Sequence, residues 1–342
     1  MRINFNLPAA VLIIFLFAAG IGIALLSSKS IRQQAVSLGL PPIDQFRNLN
    51  YQDQLDLIKR AAEADPVKTW TYVKSAFLIN GQQAENAHEF AHLVGNGMYS
   101  KYGLDGITNC DETFGFGCFH GVSQELLEQK GVSVVKEIQS RCIQIFPPDK
   151  TQNYNGCIHG MGHGLLTWEH FQVGKALLDC DNLDQLYQNY CYDGVFMEHA
   201  SDLAQNEFDP AHSWQFCSAL ADKYHYNCAR YQSQVFLTRF GIDIPKIGAY
   251  CAQAPDEISS STCSESLGYY ITDMNLGKLP QILRSCSQIK GDGSYHCIIG
   301  ASREVAFQTY VGWQETAEAL CESLPANWKN QCPTTSQSLA PM

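Results

Sequence analysis

The sequence contains little positive charge and no run of basic residues. Lysine and arginine number 23 in 342 residues, against 34 aspartates and glutamates, which gives a net charge of −11. Nucleic acids and acidic membrane surfaces attract basic patches, so this balance argues against nucleic acid as a partner. Asn-x-Ser/Thr acceptor sites are absent too, and nothing in the sequence indicates N-glycosylation.

Closely spaced cysteines are also missing, although the chain has 14 cysteines. No Cys-x-x-Cys-His segment occurs, which excludes covalent haem attachment through that motif. From Cys110 onwards, short gaps of 8–15 residues alternate with long gaps of 23–26 residues. One short gap and one long gap make a unit of about 35 residues, and a fixed period of that size is typical of stacked repeats.

Each unit has room for two helices and a turn. Apolar residues three or four apart, such as Leu177, Cys180 and Leu183, share one helix face. Strand-like alternation is nearly absent. The sequence therefore predicts an all-α protein, an α-solenoid of helical hairpins that bury their apolar faces only by stacking on their neighbours.

The predicted organisation has two regions of helical repeats. Residues 110–332 carry the cysteine-stapled repeats. Upstream, three further helical segments predict a divergent, cysteine-free repeat region at 46–109, with Asn86 in the place of a leading cysteine. The arrangement in 110–332 resembles the Sel1-like and tetratricopeptide class of α-solenoids, including disulfide-stapled versions. The resemblance rests on the period, the helical pairing and the cysteine placement, and it implies a fold without a particular function.

Two disulfide pairings fit this spacing. Pairing across the long gaps joins the two ends of one hairpin and strands Cys110 and Cys332. Pairing across the short gaps joins one hairpin to the next, uses every cysteine and is the pairing we favour. It gives the bonds Cys110–Cys118, Cys142–Cys157, Cys180–Cys191, Cys217–Cys228, Cys251–Cys263, Cys286–Cys297 and Cys321–Cys332.

The N-terminal region contains an uncharged apolar run at residues 7–26. About 20 such residues can span a bilayer, and disulfide-forming cysteines belong outside the cytosol. We therefore expect a cytoplasmic N-terminus (1–6), a transmembrane signal anchor (7–26), a stalk (27–45) and a single-pass membrane protein with extracytoplasmic repeats. The alternative is a cleaved signal peptide and a secreted protein. Residues 333–342 are predicted to form a disordered tail.

Five histidines and one aspartate share two places in the repeat register, two and six residues after the leading cysteine. They are His88, His92, His120, His159, His163 and Asp193. His88 and His92 belong to this set because Asn86 is taken as the equivalent of a cysteine. Residues four apart share a helix face, so the six side chains are predicted to converge on the concave wall of the solenoid.

Imidazole and carboxylate groups that converge without thiolates suit zinc, iron, manganese or copper. The predicted cofactor is therefore a divalent transition metal. Glu125, Glu198 and Glu304, seven residues after their leading cysteines, could complete the site or form a solvated helix flank. The alternative is that the histidines pack between helices, with Gly121, Gly160 and Gly194 at a close helix contact.

Residues 88–92 match H-E-x-x-H, which on a helix presents two zinc ligands and a glutamate as general base. Glu89 is the predicted base. Met98 stands where metzincins have a third histidine, and Glu112 could serve as the third ligand of a gluzincin-like site. The pentapeptide also resembles the His-Glu helices of HEAT-repeat di-iron hydroxylases, a partial likeness that illustrates how a helical-repeat groove can hold metal.

Two functions are consistent with these patterns. One is a metal site that supports a metal-dependent hydrolase or oxygenase activity. The other is a non-catalytic repeat scaffold whose groove binds a peptide or protein partner. An enzyme needs an open coordination position on its metal, whereas a scaffold keeps its partner when the histidines are replaced.

Overall fold

The computed structural model describes residues 37–79, 82–83, 87–146, 151–205, 209–308 and 312–332. The predicted N-terminus, signal anchor and disordered tail lie outside these described residues. The chain divides into two compact units, the first ending at Gln129 and the second beginning at Lys130.

The described part of the chain is almost entirely helical, as the sequence predicts. The first unit contains α1 (Ile43–Arg47), α2 (Tyr51–Ala64), α3 (Pro66–Phe77), α4 (Ala87–Tyr102) and α5 (Gly117–Lys130), which ends at the boundary. The second unit contains α6 (Val135–Ile145), α7 (Thr151–Trp168), α8 (Val173–Cys180), α9 (Gln185–Gln205), α10 (Gln215–Ser218), α11 (His225–Phe240), α12 (Ile244–Cys251), α13 (Glu257–Met274), α14 (Leu279–Cys286), α15 (Gly293–Gln308) and α16 (Trp313–Glu322). Five 3-10 turns accompany them, at Gly103–Asn109, Gly131–Val134, Pro210–His212, Asp222–Tyr224 and Lys329–Gln331.

Two short strands follow α3, where the sequence predicts none. Strands β1 (Leu78–Ile79) and β2 (Gln82–Gln83) pair antiparallel, with Leu78 opposite Gln83. Leu78 has φ −90° and ψ 107°, an extended conformation that ends α3. The strands are too short to show the alternation of apolar and polar residues by which a sequence reveals a strand.

The stalk predicted at 27–45 does not extend to residue 45. Residues 43–45 already belong to α1, and Leu40 is buried. Tyr72 on α3 donates a hydrogen bond to the carbonyl oxygen of Pro41 at 2.7 Å. The segment from Leu40 onwards is therefore part of the first unit, because it supplies both apolar contact and a hydrogen-bond acceptor.

The core of the first unit is aromatic. Phe46 and Phe90 are fully buried, and the ring of Phe90 stacks on that of Phe77 with 4.5 Å between centroids. Phe114 is buried with its ring edge against Trp70. This packing fixes one face of α4 and leaves the histidines of that helix on other faces.

The short helices of the second unit are amphipathic. On α8 the buried residues are Val173, Ala176, Leu177 and Cys180, at the i, i+3, i+4 and i+7 spacing of a single helix face. Cys180 is the last residue of α8 and bonds to Cys191 in the following long helix. One hairpin is thereby linked covalently to the next.

All 14 cysteines form disulfides, and the pairs are those across the short gaps. The structure thus has the pairing that we favoured of the two sequence-based schemes. The Cα atoms within each pair lie between 5.4 and 5.9 Å apart, the usual separation in proteins. Disulfides persist in oxidising compartments, which indicates a location outside the cytosol.

The predicted single-pass membrane location is contradicted. No helix in the described residues has both the length and the apolar character needed to cross a bilayer. The segment from which the sequence predicts a signal anchor, residues 7–26, is not among them.

Long helices of consecutive hairpins touch through their backbones. A Cβ atom on Gly162 of α7 would lie 2.1 Å from the carbonyl oxygen of Cys191, and one on Gly194 of α9 would lie 1.9 Å from that of His159. Normal contacts are more than an ångström longer, so only glycine fits at these two positions. The contact recurs between α13 and α15, through Gly268 and Gly300.

The same crossing joins α4 and α5 in the first unit. Gly95 faces the carbonyl oxygen of Cys118, which a Cβ atom would approach to 2.2 Å. Gly121 faces that of His92, which a Cβ atom would approach to 2.1 Å. Both helices therefore meet next to the histidines that the sequence singles out.

This crossing corrects the predicted register of α4. In α7 and α13, the glycine that faces the next leading cysteine comes five residues after the helix's own leading cysteine. Gly95 makes that contact in α4, so Phe90 rather than Asn86 takes the place of the cysteine. The prediction was wrong by one helical turn because no cysteine marks α4. His92 occupies the place two residues after the leading position, and His88 lies one turn earlier.

Candidate metal centre

Three histidines of the first unit face one another. His88 and His92 lie on α4 and His120 lies on α5. The Nε2 atoms of His88 and His92 are 3.0 Å apart, and Nδ1 of His120 lies 3.3 Å from Nε2 of His92. Each imidazole offers one nitrogen, and the three nitrogens lie within 4.8 Å of one another. His120 is 1% exposed, and the other two are half-buried.

Two local features bring these side chains together. His88 and His92 are four residues apart and therefore share a helix face. His120 directly precedes Gly121, whose close contact with the carbonyl oxygen of His92 brings the two backbones together.

A backbone carbonyl fixes the protonation of His88. Its Nδ1 lies 2.7 Å from the carbonyl oxygen of Phe114. A carbonyl oxygen only accepts hydrogen bonds, so Nδ1 carries the hydrogen, and in the neutral ring the lone pair is then on Nε2. Metal-ligating histidines are commonly oriented in this way, by an acceptor on the ring nitrogen that does not bind the metal.

The turn that supplies this carbonyl has an unusual backbone. Phe114, Gly115 and Phe116 have φ values of 58°, 59° and 64°. The left-handed region costs a non-glycine residue about 1–2 kcal/mol. The bond between Cys110 and Cys118 closes the loop that contains the turn, and strained backbone held by its surroundings tends to occur at functional sites.

The nitrogen separations match those of a chelated ion. Two nitrogens about 2.0–2.1 Å from one ion, at angles of roughly 90–109°, lie about 2.9–3.4 Å apart. The separations of 3.0 and 3.3 Å lie within this range. Nε2 of His92 lies close to nitrogens of both His88 and His120. A hydrogen on this atom could bond to only one of those two nitrogens, whereas a single cation could bind all three. The arrangement therefore fits a metal ion.

Glu89 points to a different partner. Its carboxylate accepts a hydrogen bond from the Tyr51 hydroxyl on α2. Burial of Tyr51, together with this hydrogen bond to Glu89, raises the pKa of the tyrosine above its ordinary value. Glu89 and Glu112 are both exposed, and the role of Glu89 as a base stays a prediction.

A second group of histidines lies within the second unit. Nε2 of His159 and Nε2 of His163, both on α7, are 3.0 Å apart. Nδ1 of His163 lies 2.9 Å from a carboxylate oxygen of Glu198 on α9, and Nδ1 of His159 lies 3.5 Å from Oδ2 of Asp193 on the same helix. His163 is 4% exposed.

The charges around this second group are strongly perturbed. Burial lowers the pKa of His163, although the nearby carboxylate of Glu198 opposes the shift. Burial alone would raise the pKa of Asp193, but the Arg230 guanidinium and hydrogen bonds from His159 and Tyr231 outweigh it and lower that pKa to about 2. The Tyr231 hydroxyl donates to Asp193 at 2.9 Å. Asp193 is therefore an anion at neutral pH.

Of the six predicted site residues, His88, His92 and His120 lie together in the first unit. His159, His163 and Asp193 lie together in the second. Of the three glutamates considered, Glu198 joins the second group. Glu125 accepts from Gln129 at 2.9 Å, and Glu304 accepts from the side chain of Gln308 at 2.7 Å. The sequence did not predict the contact of His88 with the carbonyl of Phe114. It also did not predict the contacts of Tyr231 and Arg230 with Asp193. The signal for the latter was Arg230, which follows Asp193 in the same register column.

Neither protein-family models, nor curated proteins, nor solved structures give a match to this chain. The resemblance to the Sel1-like and tetratricopeptide class stays a prediction from the repeat period and the cysteines. What supports a function is therefore the arrangement of the protein's own side chains.

Proposed function

We propose that this protein binds a divalent transition metal ion through His88, His92 and His120, in a compartment outside the cytosol. The observation that carries the proposal is the cluster of three imidazole nitrogens within 4.8 Å of one another. The carbonyl of Phe114, which directs the lone pair of His88 towards His92, supports it.

The donor set favours particular metals. All cysteines are in disulfides, so nitrogen atoms rather than thiolates would bind the ion. Imidazole suits zinc, copper and iron better than magnesium or calcium. Three imidazoles are also the protein ligands of one type of catalytic zinc site, in which the fourth position holds water.

An open position at the ion would allow catalysis. Metal-bound water is activated as a nucleophile at neutral pH, and redox-active metals support oxygen chemistry. A metal-dependent hydrolase or oxygenase is therefore the enzyme class that the site supports. His88 and His92 are half-buried rather than fully buried, as an open position at the ion requires, whereas His120 is buried.

We propose that the repeats stack into an α-solenoid. The glycine contact between α7 and α9, which recurs between α13 and α15, supports neighbour-to-neighbour stacking. The disulfides that link the end of each hairpin to the start of the next support the same arrangement.

A non-catalytic scaffold is the second candidate function. Leu186 and Ile258 occupy the same place in their repeats, five residues before the leading cysteine. Their side chains are 71% and 64% exposed. Apolar residues exposed at equivalent positions of a repeat offer a surface for a protein or peptide partner.

The decisive experiment measures bound metal. The full chain is produced in an oxidising compartment and analysed for zinc, iron, manganese and copper, beside a His88→Ala/His92→Ala variant. We expect the variant to hold one ion fewer per chain and to retain the helical circular dichroism of the wild type. His212→Ala, at an exposed histidine paired with Asp209, is the matched control and should lose none. Equal metal content in wild type and variant would contradict the proposal.

A further inference from the structure

We infer that the second unit holds a metal site of its own, in which the Nε2 atoms of His159 and His163 bind the ion while Asp193 and Glu198 position the two imidazoles. The site goes beyond the proposed function, which concerns only residues of the first unit. It would bind a divalent transition metal that favours nitrogen ligands.

The first step is the spacing of the histidines. His159 and His163 are four residues apart on α7, and their Nε2 atoms are separated by 3.0 Å. His88 and His92 on α4 show the same atoms at the same separation. Two nitrogens of one ion lie about 2.9–3.4 Å apart, so each pair has the geometry of a two-point chelate.

The second step is the protonation of the rings. Nδ1 of His163 faces Glu198 at 2.9 Å, and Nδ1 of His159 faces Asp193 at 3.5 Å. An ionised carboxylate only accepts hydrogen bonds, so each Nδ1 carries the hydrogen. In the neutral ring this leaves the lone pair on Nε2. Two nitrogen lone pairs 3.0 Å apart are placed to bind one cation together.

The third step separates ligands from positioning groups. Asp193 is held by the Tyr231 hydroxyl at 2.9 Å, by Arg230 at 3.4 Å and by the Asn227 amide at 3.4 Å, all from α11. These contacts fix the carboxylate on the Nδ1 side of His159. Carboxylate, histidine and metal in that order is a common arrangement, in which the carboxylate orients the ring and raises its basicity.

The backbone explains why the carboxylates reach the rings. Gly194 directly follows Asp193, and its Cα lies against the carbonyl oxygen of His159. The two helices therefore approach closely at the residues concerned. Glu198 lies four residues beyond Gly194, about one helical turn along α9, and faces His163, which lies one turn along α7 from His159.

The test uses cobalt(II) as the probe, followed by visible absorption and titration calorimetry on the full chain. His88→Ala/His92→Ala removes the first site, and His159→Ala/His163→Ala is then added. We expect two ions per chain in the wild type, one in the first variant and none in the combined variant. His296→Ala is the matched control, because His296 also faces a carboxylate, Glu265 at 3.4 Å. It should bind as the wild type does.

The outcomes separate the two proposals. One ion in both the wild type and the first variant, lost in the combined variant, would support this site and overturn the first. A first variant that binds no cobalt would overturn this site. Asp193→Asn and Glu198→Gln keep both ligands, and we expect each to weaken cobalt binding about 10–100-fold with unchanged circular dichroism. Unchanged affinity in both would overturn the positioning role.

Discussion

Replacing Gly121 by alanine tests how the fold creates the first histidine cluster. An added Cβ atom would lie 2.1 Å from the carbonyl oxygen of His92 and 2.9 Å from the amide nitrogen of Asn96. Both of these atoms belong to the backbone, so neither can move aside through a change of side-chain rotamer. The helices α4 and α5 must therefore separate by about 1 Å to restore van der Waals distances.

The expected magnitude follows from two opposing effects. Overpacking of a close contact costs about 1–3 kcal/mol, and a backbone obstacle puts this case at the upper end. Alanine in a helix interior regains about 1 kcal/mol over glycine. We therefore expect Gly121→Ala to lower the free energy of unfolding by about 2 kcal/mol, since the overpacking cost is the larger of the two effects.

The same displacement should damage metal binding. Metal-ligand distances tolerate shifts of about 0.2 Å, whereas a separation of about 1 Å carries His120 away from the other two imidazoles. Zinc affinity should fall by at least the factor of about 10–100 that loss of a supporting group costs. Guanidinium unfolding followed by circular dichroism in EDTA measures the stability, and calorimetric titration with zinc measures the affinity.

Two other glycines serve as controls. Gly174 on α8 has open space around its Cβ position, so Gly174→Ala should raise the stability by up to about 1 kcal/mol. Gly194→Ala clashes with the carbonyl oxygen of His159 at 1.9 Å and should destabilise the second unit. A Gly121→Ala protein as stable as the wild type would show that α4 and α5 do not need a glycine at this contact.

Three further predictions concern pH and covalent links. The pKa of Asp193 is about 2 in the folded protein, below its ordinary 3.8, so its ionisation contributes about 2 kcal/mol. This contribution is complete above the pKa of the unfolded state and is lost as pH falls through the pKa of the folded state. Denaturant unfolding from pH 5 to pH 2 should show the loss in the wild type and not in Asp193→Asn. Burial and the neighbouring Asp273 raise the pKa of Glu304 from 4.5 to about 8. Between these two pKa values the folded state holds a proton that the unfolded state has lost, so the free energy of unfolding should fall as pH rises from 4.5 to about 8. Glu304→Gln should be more stable than the wild type at pH 8, and its stability should depend less on pH. Cys180→Ser/Cys191→Ser opens a loop with a sequence separation of 11 and should cost about 3 kcal/mol of unfolding free energy.

The cysteines made most of the second unit predictable. Helices α8, α12 and α14 end at Cys180, Cys251 and Cys286, as the spacing suggests. The same reasoning failed in α4, where no cysteine marks the register and Asn86 was chosen one turn too early. The glycine contacts in the structure give the correct register of α4, because Gly95 and Gly162 both face the leading cysteine of the following long helix.

The candidate site was predictable only within each helix. Histidines four residues apart share a face by helix geometry alone, so the pairs in α4 and α7 follow from the sequence. Contacts between helices depend on the crossing and on side-chain rotamers. The carbonyl that orients His88 comes from Phe114, whose φ of 58° is a conformation that a phenylalanine rarely adopts. No sequence rule would have placed it there.

The register also predicts that the second site can be rebuilt elsewhere in the same unit. The crossing of α13 and α15, through Gly268 and Gly300, matches that of α7 and α9. Glu265 and Tyr269 stand where α7 has its two histidines, and Glu304 already stands where α9 has Glu198.

Four substitutions would complete the copy, namely Glu265→His, Tyr269→His, Ile299→Asp and Arg303→Met. Arg303→Met is needed because Arg303 pairs with Glu265 at 2.5 Å. Replacing Glu265 by histidine would leave the Arg303 guanidinium without that carboxylate. The change also matches the methionine at the equivalent place in α9. If the crossing and the register suffice, this variant binds one cobalt ion more than its parent. The same variant without Ile299→Asp should bind that ion about 10–100-fold more weakly. A folded variant that gains no cobalt would show that the crossing and the register do not suffice. The copy lacks the support that Asp193 receives from α11, and the pKa of its Glu304 is raised to about 8.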